Sequence, residues 1–169
     1  MKKELWKFLL KLAIFSLILG FLWFWKLQDF YPFLLKPAAI PFFQWVGVKK
    51  WYLSWVLDHF TNIVPYIALV LATPGILKRW KWTLLALVGG LVALMISHLF
   101  LSWMVYHYSA EYQFTKSFFR RTFPFFLLSD GLPLPLWLLF YPRVLPELFR
   151  FIKLGRKDKA SETESNLSP

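Results

Sequence analysis

Apolar residues in this chain fall in long blocks rather than on one face of short amphipathic segments. The clearest block, TLLALVGGLVALMISHLFLSWMV, lies between Trp82 and Tyr106, and its one titratable side chain is His98. At ~1.5 Å rise per residue, residues 82–106 form a helix on the order of 36 Å long, enough to cross a bilayer with some tilt. A first block, residues 8–27, is preceded or entered by Lys2, Lys3, Lys7 and Lys11 and closed by Trp23, Phe24 and Trp25. It has the flanks of a secretory signal, but its core is too long and no small-x-small site follows, so it reads as an uncleaved span. The block over 60–77 carries Pro65 one turn in and Pro74-Gly75 near its end. The last block, 118–141, contains Ser129-Asp130-Gly131 and then Pro133 and Pro135, a turn signal that predicts an unwound or kinked helix.

Between the first two blocks, residues 28–58 are unusually apolar for a connection. Tyr31-Pro32, Lys36-Pro37 and Ile40-Pro41 predict a loop there. From Phe43 onward, Trp45, Val48, Tyr52 and Trp55 recur at helical spacing, with Gln44, Lys49, Lys50 and Ser54 on other faces. That pattern fits a helix lying in the membrane interface, or a short helix packed on the bundle mouth. Residues 153–169 are charged, then polar, and predict a disordered cytoplasmic tail. The expected fold is an all-α polytopic membrane domain over 1–152. It has about four transmembrane helices, an interfacial helix in the first outer loop and a broken fourth span.

Composition sharpens this picture. The 169 residues are 58% hydrophobic and 21% aromatic, beyond what a water-soluble domain of this size carries. The net charge of +11 does not point to nucleic acid, because Lys and Arg gather at the ends of the apolar blocks. Membrane lipids with anionic headgroups are the expected partners. Thirteen basic residues fall on the amino-terminal side of the bilayer and seven on the other. The bias places both termini in the cytoplasm of a bacterial inner (plasma) membrane protein. The absence of cysteine excludes disulfides, thiol catalysis, thiolate metal sites and a lipobox anchor.

Asn62, His98 and Asp130 all fall in the outer half of their spans, where a polar side chain needs a partner. With Ser102, four residues beyond His98 and therefore on its face, they suggest a small polar cavity open to the outside, with His98 beside Asp130. The plainer alternatives are a turn capped by Asp130 and a His98 that hydrogen-bonds a backbone carbonyl. Lys116, Arg120 and Arg121 suit a phospholipid headgroup or a lipid-linked phosphate. Gly89, Ala93 and Ser97 form a small-residue stripe for close helix packing, within the chain or against a partner. His98 and His107 are nine apart, on opposite faces; no zinc spacing and no phosphate-cradling glycine loop is present, so no metal or cofactor is expected.

The stretch NIVPYIALVLATPGILKRWKWTLLALVGGLVALMISHLF resembles the core of exosortase and archaeosortase membrane proteins. It has a span ending in a small-Pro segment, a basic turn, and then a Gly-containing span with polar residues in its outer half. The resemblance covers residues 8–106. The Cys nucleophile of that family is missing here, and Leu99 to Leu101 are apolar where its Arg would lie. The resemblance therefore implies a catalytically dead relative, or a small membrane protein associated with exosortase systems. The expected function is a non-catalytic accessory or subunit in bacterial envelope protein sorting, export or exopolysaccharide production, docked on another membrane protein. The alternative is an enzyme or carrier acting on a lipid-linked substrate through the outward cavity.

Overall fold

The computed structural model describes residues 2–48, 60–112 and 115–142, and all regular structure among them is helical. Helix α1 spans Lys2–Leu22 and passes through a π-helical turn, Trp23–Leu27, into α2, Gln28–Trp45. Helix α3 is Ile63–Ala72, a 3-10 turn follows at Ile76–Arg79, and α4 runs Trp80–Tyr112. Helices α5, Lys116–Gly131, and α6, Pro133–Phe140, complete the order. Among the described residues, three stretches are long and apolar enough to cross a membrane: Leu5–Trp45, Trp80–Ser109 and Lys116–Phe140.

The expected loop over 28–58 is corrected as far as Trp45. Helix α2 continues straight through Pro32, Pro37 and Pro41. Each proline removes one N–H from the ladder, but four-to-five-residue spacing keeps these losses away from the packed stripe of Tyr31, Leu35, Ala39 and Phe43. In an apolar medium a bent helix still pairs more backbone groups than an open loop would. The π turn, in which the Gln28 N–H reaches the Trp23 carbonyl, inserts one residue and re-aims that stripe. Of the expected interfacial helix, residues 49–59 lie outside the described residues; Trp45 ends α2 almost fully exposed and Val48 is buried. The tail over 153–169 also lies outside them.

Block 60–77 forms a ten-residue helix, shorter than the sequence pattern suggested. It stops because Thr73, preceding Pro74, is extended at φ −59°, ψ 130°. Gly75 then takes φ +77°, the left-handed position of a Pro-Gly turn, and starts the basic 3-10 turn. The last block does not unwind at Asp130-Gly131, because Leu132 keeps helical angles. What is lost there is hydrogen bonding, since Pro133 and Pro135 have no N–H to give.

The helices pack up and down. Asn62 meets the level of His98 while Thr83 bonds the Ile76 carbonyl, so α3 and α4 are antiparallel. Ser97 meets Ser129 while Trp82 meets Phe140, so α4 and α5–α6 are antiparallel as well. Phe8 of α1 stacks on Trp137 with centroids 5.9 Å apart, setting the start of α1 beside the end of α6. One end of the bundle therefore gathers the start of α1, the turn with Lys78 and Arg79, and the end of α6. Closest approach occurs at Gly90, where the Tyr66 ring lies on the α4 backbone and its hydroxyl donates to the Ala86 carbonyl. A Cβ at position 90 would overlap that ring.

Candidate functional site

His98 is fully buried, and both of its ring nitrogens are engaged. Nδ1 lies 2.6 Å from the Tyr31 hydroxyl and Nε2 lies 2.7 Å from Asn62 Oδ1. The Asn62 amide group in turn donates to the Ser129 carbonyl at 2.8 Å and approaches Ser129 Oγ at 3.2 Å. Because Asn62 Nδ2 faces a carbonyl, which only accepts, Oδ1 must be the atom facing His98. With Nε2–H donating to Oδ1, Nδ1 accepts from Tyr31, and the chain of donors runs Tyr31, His98, Asn62, Ser129. Phe60 stacks on the imidazole at 3.9 Å and closes the side that Tyr31 leaves open.

The fourth link has a local cause. The Ser129 carbonyl would normally accept from residue 133, which is Pro133 and has no N–H. The Leu132 N–H reaches it at 3.2 Å in a tighter turn, and the Asn62 amide completes it from the neighbouring helix. Asn62 sits at the N-cap position of α3 yet makes no cap bond; its side chain is directed sideways into this gap instead. A proline-freed carbonyl inside an apolar bundle is thus satisfied by another helix.

This geometry corrects the expected cavity. Asn62 and His98 come together, but with Tyr31 and Ser129 rather than Asp130. Asp130 is exposed on the outer flank of α5, about 100° round the helix from Ser129. Ser102 is buried and donates back to the His98 carbonyl at 2.7 Å, within its own helix. The four polar side chains touch one another directly, so the cluster is a sealed core rather than an open chamber. Lys116 and Arg120 are exposed on the first turns of α5, as is Arg121. The small-residue stripe is turned to the chain's own last block. A Cβ on Gly89 would stand 3.0 Å from Phe140, and Ser97 donates to Ser129 Oγ at 3.2 Å. Ala93, between them, is half-buried. Of the two roles open to the stripe, packing within the chain is the one that the contacts of Gly89 and Ser97 display. Among the described residues no three His, Asp or Glu side chains are grouped to hold a metal ion.

An open feature lies at the opposite, basic end. A groove of about 570 Å³ is bounded by the Thr73–Ile76 turn, by Trp82 and Thr83 of α4, and by Phe140 and Tyr141, with Lys78 and Arg79 at its rim. Its walls are tied together. Trp82 donates to the Phe140 carbonyl at 2.9 Å, Thr83 to the Ile76 carbonyl at 3.3 Å, and Trp137 to Thr73 Oγ at 2.8 Å. In the sequence Lys78, Arg79 and Lys81 form only a basic turn between two apolar blocks, and hydropathy does not reveal the groove beside them. The signal available was the Thr-Pro-Gly turn followed at once by basic and aromatic residues. Tyr31 has no such signal, because it sits in the proline-containing segment for which the sequence predicts a loop.

No protein-family model matches this chain, and neither a curated protein nor a solved structure is significantly similar to it.

Proposed function

We propose that the protein is a non-catalytic integral membrane accessory subunit of a bacterial envelope protein-sorting, export or exopolysaccharide system, docked on another membrane protein. The observation that carries this reading is the saturation of the His98 cluster. Each group there with acid, base or nucleophilic chemistry is bonded to another protein group and shut away behind Phe60. An enzyme needs a reactive group with a lone pair or proton directed at substrate. The resemblance of the α3–α4 stretch to exosortases points the same way, because this chain has no Cys and carries apolar Leu99 to Leu101 where the family's Arg would lie.

In this reading the chain makes four passes, with α3 and its flanks as the second, and both termini lie in the cytoplasm. With the small-residue stripe occupied, the surface for a partner is the outward side of α1 and the π turn, where Leu17, Phe21, Phe24 and Trp25 are exposed. A photo-cross-linking residue placed at Leu17, Phe24 or Ile96 in living cells tests it. Discrete protein adducts from positions 17 and 24, absent from the α4 control at 96, are expected. Lipid adducts alone at all three would reject the subunit reading.

A further inference from the structure

We infer that the groove at the basic end holds the phosphate headgroup and glycerol of one anionic glycerophospholipid. This inference rests on the four-pass placement above, which sets the groove at the membrane surface, and not on the accessory role.

The volume, about 570 Å³, is that of a small-molecule site. Its neutral donors are already committed. The Trp82 indole and the Thr83 and Thr73 hydroxyls give their protons to the Phe140, Ile76 and Leu69 carbonyls. The donors left at the rim are the Lys78 ammonium and the Arg79 guanidinium, both exposed. Neither is paired with a carboxylate among the described residues; Asp29 and Asp130 flank Tyr31 and Ser129 at the sealed cluster. Two adjacent cations select an anion, and Arg with Lys suits phosphate oxygens. The remaining lining, from Pro74, Ile76, Phe140 and Tyr141, is largely apolar and suits glycerol and the first acyl methylenes rather than a hydrated ion. The groove also opens where α4 enters its apolar run, with Trp80 and Trp82 as interfacial aromatics. Gly75 in the left-handed conformation holds the turn that carries both cations.

Native mass spectrometry of the full chain in mild detergent, with dioleoylphosphatidylglycerol or dioleoylphosphatidylcholine added, tests the site. One phosphatidylglycerol per chain is expected to survive desolvation better than phosphatidylcholine. At about fivefold per surface cation, Lys78→Gln with Arg79→Gln should weaken it about thirtyfold. Lys116→Gln with Arg120→Gln, at the other end, should leave it unchanged, and excess inorganic phosphate should not displace it. Equal binding of the two lipids, wild-type affinity in the Lys78/Arg79 variant, or displacement by free phosphate would each overturn the inference. Labelling of Lys78→Cys by an impermeant maleimide in inverted vesicles reports the membrane placement separately, on a chain with no other cysteine.

Discussion

At the level of His98, polar side chains from α2, α3, α4 and α5 close on one another and leave nothing to offer. At the level of Thr83 the turn after α3, the start of α4 and the end of α6 spread, polar groups there bond mostly backbone carbonyls along the walls, and two cations remain at the rim. Both regions obey one rule, that a polar group away from water must be bonded. They differ in where the partners come from. In the sealed cluster the partners are other side chains, so removing one leaves another orphaned. In the groove wall most neutral partners are backbone carbonyls, with Trp137 on Thr73 Oγ as a side-chain exception, and the rim cations face outward, so those cations can be lost singly. Stability should therefore concentrate in the first region and binding in the second.

The strongest test of that contrast is Asn62→Leu. It orphans the His98 Nε2–H and leaves the Ser129 carbonyl with the Leu132 N–H alone, and should cost about 3 kcal/mol, the upper end for an unsatisfied buried donor. Thermal unfolding in detergent should show the loss; a change within ~0.5 kcal/mol would mean the cluster is no tighter than the groove. Next comes Gly90→Ala, which forces a methyl against the Tyr66 ring between the two regions. About 2 kcal/mol of destabilisation is expected from overpacking, and Tyr66→Ala in the same chain should recover part of it. Tyr31→Phe keeps the ring and removes one donor, so His98 Nδ1 alone is left unpaired, at about 1 kcal/mol. Its effect should not add to that of Asn62→Leu, because both act through His98. Smallest is the pair Lys78→Gln and Arg79→Gln, which should shift unfolding by less than ~0.5 kcal/mol while weakening lipid retention.

The long apolar blocks were legible because hydropathy alone sets them: residues 82–106 lie wholly inside α4, and residues 8–27 run through α1 and the π turn. Pro32, Pro37 and Pro41 misled the reading, since the rule that proline ends helices assumes that water will take up the freed carbonyls. Asp130 misled it for another reason. Depth along a span can be counted from sequence, but azimuth cannot be read near a break, and one residue's shift puts Ser129 inside and Asp130 outside. The contact between Asn62 and Ser129 was within reach. Pro133 marks the Ser129 carbonyl four residues earlier as needing a donor, and Asn62 was already placed at that depth.

The direction of the bonds around His98 has one more consequence. A Grotthuss wire needs every member both to receive and to release a proton, then to turn round for the next. Tyr31 and His98 meet that demand, but the Asn62 amide and the Ser129 carbonyl do not. Whatever gradient exists across the membrane, this row of contacts is an insulator: a proton arriving at the imidazole has nowhere further to travel.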